Sequence, residues 1–304
     1  MHAVVIHQAG GPEVLTYEEA ARPEPGEGEV LIRVHAASVN PVDWKRRRAM
    51  PGHELPAVLG RDVSGTVEVS RAQGFSEGDA VFGTAGTGGY AEFTASPAGV
   101  IAHKPEGITH EQAAAIPVAG GTAWEGLFDH GRLGSGQVAL VSGGAGGVGH
   151  FAVQFAKHAG ARTIGTGSTA NRDFVLGLGA DDYVDYTRQA VTDVVSGVDL
   201  AFDTVGGEVP QSLLPAVRDG GKLVSIAGGM PDEAARARGV RTSVFRADVR
   251  SAELARIADL VAGGEVRVEI AEVLPLAEVG RAHELSESGH VREKLILAVA
   301  SGRT

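Results

Sequence analysis

Apolar residues in this chain follow two rhythms. Up to about Ala102 they alternate with polar ones in short runs broken by Gly and Pro, which predicts strands over residues 3–6, 30–37, 63–69, 80–82 and 91–95 in a small β-rich domain, partly barrel-like. From His110 helix formers take over. Residues 111–116 and 122–128 predict two helices kinked at Pro117. Strands and helices then alternate: strands at 138–141, 162–166, 183–185, 200–203, 222–227 and 243–245, with helices from Gly147, from Ala170 and over 210–217. That order predicts a doubly wound parallel sheet. A helix at 252–262, a strand at 267–274, a helix at 276–286 and a strand at 294–300 close the chain.

Between the strand at 138–141 and its helix lies Ser142-Gly-Gly-Ala-Gly-Gly-Val-Gly149. Gly144, Gly146 and Gly149 fit G-x-G-x-x-G, whose glycines allow a tight turn, approach of a pyrophosphate to backbone, and close packing of helix on strand. The free N–H groups and positive dipole end of the helix would hold the phosphates. A second cluster, Gly83-Thr-Ala-Gly86-Thr-Gly-Gly89, precedes an alternating run and is read as a turn between strands.

An NAD site of this kind carries an acidic residue about twenty positions beyond the glycine loop, at the end of the second strand. Here that strand ends Ile164-Gly-Thr-Gly167-Ser168-Thr169-Ala-Asn-Arg172, with no carboxylate. Hydroxyls, a helix start near Ala170 and the Arg172 guanidinium suit a 2′-phosphate, so NADPH is the expected cofactor. The plainer alternative is a Ser/Thr N-cap followed by a surface arginine.

Length and charge narrow the class. At 304 residues two domains are expected, and 43% hydrophobic with 21% charged residues describes a soluble globular protein. With 27 basic against 38 acidic residues the net charge is −11, which argues against nucleic acid or anionic membrane as partner. The basic run Lys45-Arg-Arg-Arg48 is read as a solvated loop. Neither a secretory pattern near Met1 nor a membrane-spanning run is found, so a cytoplasmic location is expected. Cysteine is absent, which removes disulfides, thiol catalysis and cysteine-ligated zinc.

Several catalytic motifs fail. His53-Glu54, His110-Glu111 and His283-Glu284 lack the second histidine of a zinc protease, and no tyrosine has a lysine four positions on. A bound cofactor must therefore carry the chemistry. After the strand at 30–37 comes Ser38-Val-Asn40-Pro41-Val-Asp43-Trp44, polar and turn-prone. It is either part of a site or an Asx-type turn with Trp44 packed in the core.

The order of these parts resembles the medium-chain dehydrogenase/reductase superfamily. The stretches Ala37-Ser-Val-Asn40-Pro-Val-Asp43, Leu59-Gly-Arg-Asp62-Val-Ser-Gly65-Thr-Val, Gly89-Tyr-Ala-Glu-Phe93, Thr122-Ala-Trp, Gly146-Gly-Val-Gly149, Asp203-Thr-Val-Gly-Gly207 and Arg292-Glu-Lys294 resemble its zinc-free quinone oxidoreductase branch, zeta-crystallin-like. The resemblance implies an α/β protein with a GroES-like β-rich catalytic domain over 1–112, a Rossmann NADP-binding domain over 113–250 and a return to the catalytic domain over 251–304. Zinc-bearing relatives place cysteine where Asn40 stands and Gly-His-Glu where Gly60-Arg61-Asp62 stands, which implies a metal-free site.

By the same resemblance, Asn40 and Thr122 are the catalytic residues near the nicotinamide, with Pro41 beside them. Gly144, Gly146, Gly147, Val148 and Gly149 meet the pyrophosphate, and Gly167, Ser168, Arg172 and Tyr186 the 2′-phosphate. Val205 and Gly206 pass the adenosine ribose; Ala227, Gly228, Val244 and Phe245 pass the nicotinamide. Two departures stand out. Enoyl-thioester reductases of the superfamily often carry a tyrosine after the Asn-Pro-x-Asp loop, but residues 48–55 hold none; and the usual Gly-Lys near the C-terminus reads Glu293-Lys294. The expected activity is hydride transfer from NADPH to a quinone or α,β-unsaturated ketone in a dry cleft, by a homodimer joined near Thr242–Phe245. The alternatives are an enoyl-thioester reductase and a non-catalytic NADPH-binding redox sensor.

Overall fold

The computed structural model describes residues 1–49, 55–289 and 291–299, and its contacts group the chain into two units. The first takes Met1–Gly121, Val249–Gly264 and the chain from Val268; the second takes Thr122–Asp248 and Glu265–Arg267. The expected boundary after residue 112 thus stands beside a contact boundary after Gly121, and the expected one after 250 beside one after Asp248.

The first unit is built on two sheets. Strands β1 (His2–Ile6), β2 (Thr16–Glu19) and β4 (Ala57–Val58) pair in the order β2-β1-β4. The larger sheet holds β3 (Glu29–Val39), β5 (Asp62–Ser70), β6 (Ala80–Thr84), β7 (Phe93–Pro97), β8 (Ile101–His103), β15 (Ile270–Pro275) and β16 (Lys294–Ala298). Its order is β15-β16-β3-β5-β6-β8, with β7 paired to β3. Eleven residues long, β3 bonds to β5, β7 and β16; alternation puts Val30, Ile32 and Val34 in the core, and beyond a register shift between Val34 and Ala36, Ala37 joins them, with Val63, Val67, Leu295 and Leu297. Strands β2, β4 and β8 escaped the sequence reading. They are two to four residues long, too short for alternation to show.

The stretch after β3 corrects the sequence reading. Residues 38 and 39 still belong to β3, and Pro41–Ala49 is a helix, α1, in place of the expected loop. Pro41 at its first position gives up no needed N–H. The basic run is therefore helical, and Arg47 is wholly buried rather than solvated. Helices α2 (His110–Ala114) and α3 (Pro117–Trp124) are separated as the proline predicts. Helices α9 (Ser251–Ala262) and α10 (Val279–Glu287) belong to the C-terminal return.

In the second unit β9 (Val138–Val141), β10 (Arg162–Gly167), β11 (Asp182–Asp185), β12 (Val198–Asp203), β13 (Val217–Ser225) and β14 (Arg241–Val244) form one parallel sheet ordered β11-β10-β9-β12-β13-β14. This is the doubly wound arrangement, with α4 (Gly149–His158), α5 (Arg172–Gly177), α6 (Val191–Val194), α7 (Val209–Leu213) and α8 (Asp232–Ala237) between strands. Strand β14 lies at one sheet edge. The helix expected over 210–217 is shorter, because Val217 already pairs with Val198 and opens β13.

One buried carboxylate joins three of these strand ends. Asp203, closing β12, accepts from Ser142 Oγ after β9 at 2.8 Å and from Ser225 Oγ at the end of β13 at 2.6 Å. It also accepts the N–H groups of Val205 and Gly206, each at 3.0 Å. Asp203→Ala would leave these four donors, three of them buried, without that acceptor. At about 1–3 kcal/mol for each donor left unpaired, a loss of at least about 2 kcal/mol is expected in urea unfolding. An unchanged midpoint would show that the ends hold without it.

Candidate functional site

The residues expected to hold a dinucleotide lie at the carboxyl ends of the parallel strands, apart from Pro41, which opens α1, and Thr122, a buried hydroxyl on α3. After β9 the chain turns at Gly143, φ +64°, rather than at Gly144. The helix then starts at Gly149, two residues later than expected, so Gly146, Gly147 and Val148 form the loop itself. A Cβ on Gly149 would stand 2.0 Å from the carbonyl oxygen of Gly143, which is the tight approach the glycine pattern calls for. The first-turn N–H groups around Val148 and Gly149 have no preceding intrahelical carbonyl. Glycine backbone opening onto a helix start fits a pyrophosphate.

Gly167 ends β10, and Ser168 caps a single 3-10 turn, Thr169–Asn171, before the six-residue α5. The Ser168 side chain makes no capping bond; its carbonyl instead accepts from Tyr183 Oη at 2.6 Å. Arg172 is exposed, 6.0 Å from the Tyr183 ring centroid, and no carboxylate among the described residues pairs with it. Tyr186 is exposed just beyond β11, as is Val205 beyond β12. Gly206, φ +86°, leaves no room for a side chain beside Ala227, and Gly228 follows with φ +82°. At the end of β14, Val244 is exposed while Phe245 stacks on His130 at 4.3 Å. Sequence reasoning missed Asp185, which closes β11 and accepts from Thr169 and Thr187. Those hydroxyls, Thr169 first, hold its carboxyl below the usual range.

In the first unit the structure gathers residues far apart in sequence around Asn40, itself 2% exposed. Its neighbours come from strand ends. Asp62 opens β5 and Lys294 opens β16, and both strands flank the end of β3 through the pairs Ser38↔Asp62 and Val39↔Leu295. Asn40 Nδ2 donates to Asp62 Oδ2 at 2.8 Å, and Lys294 Nζ donates to Asn40 Oδ1 at 2.5 Å. The N–H of Val118 also reaches the Asp62 carboxylate, at 3.2 Å. The amide orientation is dictated by chemistry, since an ammonium only donates and an ionised carboxylate only accepts.

The backbone of Asn40 is fixed from the other side. Its N–H donates to Asp43 Oδ2 at 2.8 Å and its C=O accepts from the Asp43 N–H at 2.9 Å, the reciprocal geometry of a helix N-terminus. Asp43 in turn accepts from Tyr90 Oη at 3.0 Å. His283 Nε2 lies 3.2 Å from that hydroxyl and His283 Nδ1 lies 2.8 Å from Arg47 Nη1. Arg47 also donates to the Gly10 carbonyl and to Glu287. With His283 neutral, each hydrogen bond from Arg47 to Asp43 has one donor and one acceptor; that tautomer is assigned from the network. Gly60, φ +89°, makes room for the chain, since a Cβ there would stand 2.4 Å from the Tyr90 ring. Trp44 is half-buried and donates to Ser286 Oγ at 3.2 Å.

Burial sets the electrostatics of this cluster. It pushes the Asp43 carboxyl up to about 7, against the hydrogen bonds from Asn40 and Tyr90, with the Asp62 charge adding to the rise. Asp62 is also raised by burial, which outweighs Lys294, and burial lowers Lys294 against the pull of both carboxylates. His283 falls to about 4 through burial and then the Arg47 charge. Tyr90 and His283 are 193 positions apart, and no sequence signal linked them. Residues 50–54, where the missing tyrosine and His53-Glu54 fall, lie outside the described residues.

Comparison with known proteins adds a family context. Residues 26–106 match the alcohol dehydrogenase GroES-like domain family and residues 178–297 the zinc-binding dehydrogenase family. The quinone oxidoreductase of Mus musculus is 31% identical over 98% of each chain. The chloroplastic NADPH-dependent alkenal/one oxidoreductase of Arabidopsis thaliana is 34% identical over 98% of this chain and 79% of its own. Among solved structures, the quinone oxidoreductase from Coxiella burnetii superposes with a TM-score of 0.93 at 34% identity, covering 99% of both chains. Mycobacterial Rv1454c complexed with NADPH gives 0.87 at 31% identity, over 98% of this chain and 100% of that one.

The raised Asp43 and lowered His283 act on stability in opposite senses. Between about pH 4 and 7 folded Asp43 keeps a proton that the unfolded chain releases, so its contribution is full below pH 4 and is lost as pH rises through 7. Folded His283 is neutral where the unfolded side chain is charged, so its contribution is present above pH 6.5 and is lost as pH falls through 4. Asp43→Asn removes the first effect and leaves the second. Its unfolding free energy relative to the wild type should therefore rise with pH across this window, by up to about 1.4 kcal/mol per pH unit. Urea titrations at several pH values check this, and parallel curves would refute the raised carboxyl.

Proposed function

The chain belongs to the quinone oxidoreductase branch of the medium-chain dehydrogenase/reductase superfamily and is a nicotinamide-dependent oxidoreductase, and we propose that it passes hydride from NADPH to a quinone or an α,β-unsaturated ketone without zinc. The observation that carries this reading is the Lys294 ammonium in contact with Asn40 Oδ1. That oxygen is occupied by a cation already, and a metal beside it would meet a like charge. Neither Cys nor His is present among Asn40, Arg61 and Asp62, and among the described residues no group of three or more His, Cys, Asp or Glu could hold a metal. The residues at hand do not fit zinc.

Without a Lewis acid, exchange between a simple alcohol and ketone loses its polarising group. A conjugated acceptor needs less, because charge from hydride attack spreads to a distant oxygen that one N–H donor can stabilise. Bound NADPH supplies the hydride. Asn40 supplies a fixed amide, which does not titrate in the usable range; the proton for the reduced product comes from solvent. On the nucleotide side Arg172, exposed and paired with no carboxylate among the described residues, supports a 2′-phosphate contact. The ionised Asp185, bonded to Thr169, is the feature that favours NADH instead.

NADPH is expected to bind at least about tenfold more tightly than NADH, a gap of about 1.4 kcal/mol, and Arg172→Ala should narrow it. Fluorescence titration giving equal affinities would remove Ser168 and Arg172 from the phosphate site. In an acceptor panel followed at the nicotinamide absorbance band, quinones or enones should turn over and simple ketones should not, with a chelator making no difference. Activity lost on dialysis against chelator and restored by zinc would overturn the metal-free mechanism, and a preference for enoyl thioesters would redirect the substrate.

A further inference from the structure

We propose that Lys294 is a positioning residue for Asn40, holding and polarising its amide so that the Nδ2–H not given to Asp62 is offered to the oxygen of the acceptor. The proposal rests on the reading of Asn40 given above and adds a partner to it. Asn40, Asp62 and Lys294 sit at adjacent ends of three hydrogen-bonded strands, so the backbone beneath the three side chains is held by the sheet. Lys294 is 3% exposed and Asp62 fully buried, so water does not compete for these bonds. With Oδ1 taken by the ammonium and one Nδ2–H by the carboxylate, the amide cannot flip, and one N–H remains.

A bond donated to the amide oxygen draws electrons from nitrogen and strengthens the remaining N–H as a donor, by roughly 10–30% per bond in a chain. Its positive charge also lies one side chain away from the negative charge that hydride attack develops. Stability alone does not account for a lysine here. Buried ionic clusters are often replaced by apolar side chains of similar volume without loss of stability, and burial works against the charged form of Lys294. The charges that bear on it are Asp62, at the start of β5, and Asp43, on α1.

The test uses the full chain with NADPH and whichever acceptor the panel identifies. Asn40→Ala should lower kcat/KM about ten- to a thousandfold, the span from one positioned hydrogen bond to an oxyanion donor. Lys294→Met should lower kcat about ten- to a hundredfold with a smaller change in acceptor KM, and NADPH affinity by fluorescence should stay within about twofold of wild type. Lys294→Gln, which keeps a donor but no charge, should fall between. The double variant Asn40→Ala/Lys294→Met should be no slower than Asn40→Ala alone, because Lys294 acts only through the amide. If Lys294→Met, or Lys294→Gln where the first does not fold, turns over like wild type while Asn40→Ala is impaired, this proposal fails and the reading of Asn40 stands. Losses that add in the double variant also overturn it. A fully active Asn40→Ala would sink both.

Discussion

A lysine ammonium buried among two carboxylates and an amide constrains everything around the end of β3. A charge taken out of water must be matched by donors and acceptors in good geometry, or the fold loses several kcal/mol. Lys294 is matched by Asn40 Oδ1 directly and by the charges of Asp62 and Asp43. Asp62 is matched by Asn40 and the Val118 N–H. The cluster holds together only if β5 and β16 keep their register against β3, because a slip of one residue would turn each of these side chains to the other face of the sheet.

From that point the constraint passes along α1. Asp43 fastens the backbone of Asn40, Tyr90 fastens Asp43, and His283 and Arg47 carry the chain of bonds to Glu287 on α10. An arginine wholly buried on a basic helix is costly without partners, and among the described residues Arg47 has a carbonyl, an imidazole and a carboxylate. The C-terminal return therefore does more than extend the sheet. It brings Lys294, His283 and Glu287 to a site whose other side chains lie within the first hundred residues.

The second unit solves its own problem with a single acceptor. The carboxyl ends of parallel strands diverge into loops, and loops that must present backbone to a ligand need fixed starting points. Asp203 supplies one by taking hydroxyls from beyond β9 and the end of β13 and amides from the turn after β12. Of the residues proposed for the cofactor, those of the glycine loop, Val205 and Gly206, and Ala227 and Gly228 follow these strand ends.

How much of this was legible depends on the range of the signal. Local periodicity was enough for the parallel sheet, the break at Pro117 and the glycine loop, because each is written within a dozen residues. The ordered motifs from Ala37 to Lys294 were enough for the family and for Asn40, and Arg172 could be named from the end of the second parallel strand. The helix after Asn40 was misread as a loop because Asn40 precedes it and its first turn holds Pro and Asp. Those residues favour turns when isolated and cap helices when a strand delivers them, and only the paired end of β3 decides between the two. The burial of Arg47, the pairing of Asp43 with Tyr90 and the contact of Lys294 with Asn40 span 37 to 254 positions in the chain. No pattern along a chain encodes such contacts, since they exist only once sheet register brings distant strand ends together and burial forces their charges to find one another.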